Sequence, residues 1–403
     1  MKKPVLTIFY QFNPWNSSIG GIQTMIRSFI KYAPSKFEIR MVGICEAAAG
    51  VGKWQELEYA GTKVKFLPVI AVDNDDVRKL VPTTLKYTSA LRKHNLSSDF
   101  MHFHRLEPTV AALKWQGDKT LFIYNDIQEK VGSTKGINKM LLGGFPVVYF
   151  ALEKLLIQQI DRIYSDNTKV HKFYRQRYPD LAERITYLKN AVDTEIFHPP
   201  TVEESLRKRE ILARQLDLSA NTKFVLFAGR LHPQKDPILL LRAFAALLEP
   251  DTHLLIVGEG ELAEAIRSEI LTLGLGERVS LMGALEQAKL SDLYCVANVF
   301  VLSSLYEGLP FAVLEALACG TPVVTTNCGE TPNLLTAQSG VVARERSPEA
   351  LAAALSQVLQ NPTVYTFEAC VKVAQPHTAK AVVTDVYQHM LVRWEEKQLA
   401  TSR

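Results

Sequence analysis

The residues best suited to chemistry lie in Ser303-Ser-Leu-Tyr-Glu-Gly-Leu-Pro-Phe-Ala-Val-Leu-Glu315. This segment follows the apolar run Val299–Leu302, which reads as a strand. Pro310 suits the first turn of a helix, where its missing N–H is no loss, and the helix is expected to run through Ala318. The N–H groups of Gly308, Leu309 and the residues just beyond then form an anion site at the carboxyl end of a parallel strand, the usual ligand position in such sheets. Glu307 lies just outside that helix, and Glu315 is about 8 Å along its axis from Pro310 at roughly 1.5 Å per residue. Two carboxylates bracketing a phosphate site suit a ligand with hydroxyls on both sides of it, a sugar near one and a ribose near the other. Taken alone, such a pair is more ordinarily a surface glutamate and a helical ion pair. Pro310, Gly308 and the following Gly320-Thr-Pro-Val-Val324 turn favour the ligand site.

Arg230 and Lys235 follow a second apolar run, Phe224–Ala228. Two cations at a strand's carboxyl end can neutralise a diphosphate leaving group. At an effective dielectric near 20 a charge pair at about 4 Å is worth about 4 kcal/mol, and about 1.36 kcal/mol felt only in the transition state is tenfold in rate. Such a pair could replace a metal, so neither metal nor cofactor is expected. Gly20 and Gly21, between the first strand and the helix expected over 22–32, would let backbone amides approach a phosphate. Gly258-Glu-Gly260 lacks the third glycine of a dinucleotide fingerprint and reads as a tight strand-to-helix turn.

Glu307 through Glu315 resembles the E-x7-E motif of glycosyltransferase family four, retaining enzymes of the GT-B fold. Three further segments are similar to that family's motifs: Gly229-Arg-Leu-His-Pro-Gln-Lys-Asp236, Leu254-Leu-Ile-Val-Gly-Glu-Gly260, and the hinge Asn190-Ala-Val-Asp-Thr-Glu-Ile-Phe-His-Pro199. The resemblance is strong from about Asp161 to Leu355 and looser before that. It implies a co-substrate that is a nucleotide diphosphate sugar, UDP- or GDP-linked, whose phosphates meet Arg230, Lys235, Gly20, Gly21, Gly308, Leu309 and Pro310. It implies that Glu307 holds the donor sugar and Glu315 the ribose, with the base near Met282 and Gly283. Glu307, Arg230 and Lys235 would carry catalysis.

The family often has a histidine near the donor sugar after the strand matching Thr120–Tyr124. Here Asn125 falls closest to that place, with Tyr124 the alternative if the register shifts by one. His102 and His104 share one side of a strand; His104, at its carboxyl end, is expected near the ligand and His102 packed inside. Asp73-Asn-Asp-Asp76 resembles the metal-binding D-x-D of the other large glycosyltransferase fold, but reads better as a solvated loop.

To bring these residues together the chain needs two parallel sheets. With 403 residues, 47% of them hydrophobic, it has enough apolar surface for two domains. Short apolar runs alternate with helical patterns throughout, as in βαβ units. Expected strands cover 5–10, 37–43, 64–67, 100–103, 120–124 and 162–165, then 224–228, 253–257, 279–282, 299–302, 323–325 and 340–343. The expected fold is α/β: two Rossmann-like doubly wound domains facing across a cleft (GT-B). Residues 1–198 form the acceptor-side domain, 199–378 the nucleotide-sugar domain, and 379–403 a terminal helix packing back on the first.

A net charge of +4 does not imply nucleic acid. The five cysteines show no paired spacing, so a reducing cytoplasm fits, and no stretch reaches the roughly 20 apolar residues of a membrane span. Lys130, Lys135, Lys139 and Lys154 surround Met140-Leu-Leu and the 145–150 run. The family resemblance implies that such a pattern serves peripheral contact of the N-terminal domain with the cytoplasmic face of the inner membrane, as in members acting on lipid-linked acceptors; a partly buried helix pair explains it equally. The resemblance to glycosyltransferase family four implies transfer of a hexose-type sugar to a hydroxyl of a glycan or lipid-linked glycan, in cell-surface polysaccharide or glycoconjugate synthesis. A nucleotide-sugar 2-epimerase on the same fold and a non-catalytic sugar-nucleotide-binding protein are the competing readings. A dehydrogenase is weaker, because neither half has a full G-x-G-x-x-G after its first strand.

Overall fold

The computed structural model describes residues 3–15, 20–72, 82–124 and 146–401. The chain forms two compact units: Met1–Lys189 with Lys380–Arg403, and Asn190–Ala379.

In the first unit the strands are β1 Val5–Phe9, β2 Glu38–Cys45, β3 Gln55–Tyr59, β4 Thr62–Ala71, β5 Phe100–Phe103, β6 Asp118–Ile123, β7 Arg162–Ser165 and β8 Ile185–Tyr187. They lie in the order β3-β4-β2-β1-β5-β6-β7-β8, parallel except for β3, which pairs antiparallel with β4. Neither β3 nor β8 is among the expected strands. β3 has no apolar run: it is half-exposed, with charges at Glu56 and Glu58. It forms because Ala60 and Gly61 both take positive φ, 52° and 76°, the backbone of a two-residue hairpin turn.

The second unit holds β9 Lys223–Ala228, β10 Thr252–Val257, β11 Val279–Gly283, β12 Val299–Leu302, β13 Val323–Thr325 and β14 Gly340–Val342. All pair in parallel, in the order β11-β10-β9-β12-β13-β14. Counted from β9 this is the doubly wound order, which reverses direction between β9 and β12. Side chains alternate across such a strand. Phe224, Leu226 and Ala228 therefore enter one buried cluster with Val313, Leu314 and Leu317, while Val225 and Phe227 enter another with Leu240, Phe244 and Leu355.

The units divide at 189/190, earlier than the expected 198/199. Residues from 190 onward are held by second-unit backbone: Val192 N donates to His377 O and Ala379 N to Val192 O, each at 2.8 Å, and Phe197 packs edge-on to Tyr294 at 5.9 Å. The helix Ala379–Thr401 docks on the first unit, as expected. Tyr387 Oη donates to Phe29 O at 2.8 Å, its ring lies 4.9 Å from that of Phe37, and Arg393 Nε donates to Asp118 Oδ2 at 2.8 Å.

Candidate active site

The loops after β9 and β12 both leave from the point where the second sheet's order reverses, where open α/β sheets bind ligands. They are laced together: Leu305 N donates to Gln234 O at 2.8 Å, Gln234 Nε2 to Tyr306 O at 3.1 Å, and Ser303 Oγ to Lys235 O at 2.8 Å. Asp236, at φ 44°, caps the helix Pro237–Ala245 through Leu239 N and pairs with Arg346. With both loops so anchored, Lys235 Nζ meets Glu307 Oε1 at 2.5 Å, and Ser304 Oγ donates to that same oxygen at 2.7 Å. The Glu307 side chain is 8% exposed and that of Lys235 19%, so this ion pair is largely out of water. Among the described residues nothing bonds Oε2 of Glu307.

The helix over Glu315 begins at Phe311, one residue later than expected, with Pro310 as its N-cap. Pro310 has no N–H, so it can give no hydrogen bond to a phosphate. The amides facing out of this end belong to Leu309, Phe311 and Ala312, and no side chain caps it. Glu315 is buried within the helix, and Tyr294 Oη donates to its Oε2 at 3.2 Å. Loss of water pushes its carboxyl up to about 7.

Arg230 is exposed and, among the described residues, makes no ion pair. Gly258 and Gly260 take φ of 134° and 155°, and a Cβ on either would stand 2.0 Å from Gly229 O or 2.4 Å from Leu231 O. This turn is therefore a close-packed support for the loop carrying Arg230. Met282 and Gly283 end β11 beside it, where Gly258 N donates to Gly283 O at 2.8 Å.

Two contributors carried no clear sequence signal. Ser304 was hidden in a serine pair after a strand. Gly329, at φ 66°, sits so close that a Cβ would meet Gly308 O at 2.3 Å. Asn190, read as part of a hinge motif, is also in the site: its Nδ2 donates to Leu309 O at 2.7 Å.

In the first unit Gly20 is the N-cap of the helix Gly21–Lys31. His102 is fully buried, 5.1 Å from the Phe29 ring and 5.0 Å from that of Phe122, and burial pulls it down to about 3. His104, just beyond β5, is buried as well. It stacks on Phe122 at 4.7 Å, its Nδ1 lies 2.6 Å from Tyr124 Oη, and burial lowers its pKa well below the usual value. Asn125, the 73–76 segment and the basic stretch from Lys130 to Phe145 lie outside the described residues. In the helix Pro146–Ile157, Glu153 points inward and accepts from Tyr174 Oη at 2.5 Å and Tyr178 Oη at 2.7 Å, while Leu152 and Leu155 are exposed. Among the described residues no helix is long and apolar enough to cross a membrane.

Two doubly wound parallel-sheet units, one with a cation–carboxylate site at its topological switch point, define a two-domain α/β protein of the GT-B class. Residues 208–375, most of the second unit, match the family model described as "Glycosyl transferases group 1". It is 32% identical over 226 residues to a D-inositol 3-phosphate glycosyltransferase of Nocardiopsis dassonvillei, covering 52% of this chain and 50% of that one. It is 33% identical over 149 residues to UDP-Gal:alpha-D-GlcNAc-diphosphoundecaprenol alpha-1,3-galactosyltransferase of Escherichia coli, covering 36% and 37% of the two chains. The chain thus spans about half or less of the length of these curated relatives. The sucrose-phosphate synthase of Thermosynechococcus elongatus superposes with a TM-score of 0.77 over 100% of both chains at 18% identity, a likeness of fold.

Proposed function

We propose that this protein is a retaining, metal-independent glycosyltransferase of family four. It moves a sugar from a UDP- or GDP-linked donor to a hydroxyl of a glycan or lipid-linked glycan, in cell-surface polysaccharide or glycoconjugate synthesis. The observation that carries this reading is the meeting of Lys235, Ser304 and Glu307 beside the open amide end of the Phe311–Ala318 helix, all within one unit. The names of the relatives support it, one of them including a UDP-linked sugar and a diphosphoundecaprenol acceptor.

The chemistry follows from the groups present. The acceptor oxygen forms a bond to the anomeric carbon on the face from which the phosphate leaves, and its proton passes to a donor phosphate oxygen. Arg230, Lys235 and the amides of Leu309, Phe311 and Ala312 take up the charge of the departing diphosphate, so that the protein positions and stabilises rather than exchanging protons. Oε2 of Glu307 accepts from a hydroxyl of the donor sugar, and Glu315 binds the ribose. The acceptor belongs to the first unit, whose sheet ends carry His104 and Tyr124. Its lipid-linked form would bring the enzyme to the cytoplasmic face of a membrane.

A screen of nucleotide sugars for slow hydrolysis to free diphosphate tests this directly, since it needs no acceptor. One donor should turn over, and Glu307→Ala and Lys235→Ala should each abolish that turnover while keeping a native circular dichroism spectrum. Wild-type rates in both variants overturn the site assignment. Epimerised donor in place of hydrolysis would make the protein an epimerase, and binding without turnover a non-catalytic one.

A further inference from the structure

We infer that Asn190 and the Gly329–Glu330 turn act together as a clamp on two consecutive carbonyls, and that this clamp aims the amides which bind the donor diphosphate. The inference rests on the donor-site reading above and assigns Asn190 as a positioning residue for it.

The geometry is local. Gly308 O accepts from Glu330 N at 2.9 Å, and Leu309 O accepts from Asn190 Nδ2 at 2.7 Å. In a trans peptide the N–H and C=O point in opposite directions. With the Gly308 carbonyl turned toward residues 329–330, the Leu309 N–H must point the other way. Among the described residues that N–H has no acceptor. The next peptide, Leu309–Pro310, has no N–H, so its orientation matters only through its carbonyl, and Asn190 fixes it. Beyond it, Val313 N donates back to Pro310 O at 3.2 Å, which leaves Phe311 N–H directed out of the helix start.

Neither anchor is interchangeable. Gly329 is left-handed, and its Cα packs so tightly on the 307–308 backbone that a Cβ would stand 2.3 Å from Gly308 O and 2.7 Å from Glu307 O. Asn190 is buried, and its amide spans from the start of the second unit to a residue far along the chain. Both hold the carbonyls on the protein side, so the amides are preset for an anion before any ligand arrives. Preorganised donors cost no reorganisation when charge develops, which is the condition for strong stabilisation of a leaving group.

The test separates diphosphate recognition from general folding. Asn190→Leu removes the donor at similar volume without adding charge, and Gly329→Ala disturbs the other carbonyl independently. Binding of uridine and guanosine diphosphates, and of the matching nucleosides, is measured by titration calorimetry and ligand-observed NMR on the full chain. Each variant should weaken the diphosphate about tenfold or more, as expected for loss of charge-assisted bonds, and leave the nucleoside within about twofold. Equal losses for diphosphate and nucleoside, or no loss for the diphosphate, overturn the clamp alone. Failure of the wild-type chain to bind either diphosphate overturns the donor-site reading and the clamp with it.

Discussion

At the level of single residues, the site turns on two carboxylates in opposite situations. Glu307 is ionically paired, and Ser304 shares its bonded oxygen. Ser304→Ala should leave Lys235 as the remaining partner there among the described residues, and the loss of one hydrogen bond, about 0.5–1.5 kcal/mol, should lower donor turnover about two- to twelvefold. Among the described residues Glu315 has no cation to hold it. In the unfolded chain it ionises near 4.5, whereas in the fold it keeps its proton to about 7. Between those values the native state binds the extra proton, so stability falls as pH rises from 4.5 to 7 and levels off above that. At about 1.36 kcal/mol per unit the difference is about 3 kcal/mol. Melting curves from pH 4.5 to 8 should show this decline, and Glu315→Gln should abolish it. The positions of Glu307, Lys235 and the helix start could be read from the order of strand, loop and Pro310. The pairing of Lys235 with Glu307 could not, because it depends on β9 and β12 being neighbours, which sequence order does not reveal.

At the level of elements, the buried strands of the second unit announce themselves as continuous apolar runs, since helices cover both faces of a parallel sheet. β3 and β8 escape that logic: one is polar and paired on one side only, the other only three residues long. The tight turn at Gly258 was legible as a glycine pair, but its reason is a contact with a loop distant in sequence. Adding a methyl group there would force both a positive φ and a collision with Gly229 O. Gly258→Ala should therefore cost about 2 kcal/mol or more and lower Tm by about 4–8 °C. Gly274→Ala is a fitting control, because Gly274 also has positive φ but open space around it, so only backbone strain of about 1 kcal/mol should remain.

Across the whole molecule, each unit has its own core, and the helix Ala379–Thr401 belongs to the first. Its bond to that unit includes the buried Asp118–Arg393 pair, with Asp118 3% exposed and Arg393 19%. Arg393→Ala leaves the Asp118 charge buried without its partner, at a cost of about 3–5 kcal/mol. The loss should appear in thermal unfolding of the first unit, while hydrogen exchange in β9, β10 and β12 stays at wild-type protection.

That helix also sets an order of events at the ribosome. Domains fold as units while the chain emerges, yet the first unit is interrupted, and its last piece is translated only after Asn190–Ala379 has been made. The second unit, later in the gene, is thus the earlier one to be complete. Until translation reaches Tyr387 and Arg393, the aromatic surface of Phe29, Phe37 and Phe100 awaits its cover, and the nascent first half is the stretch on which a chaperone would act.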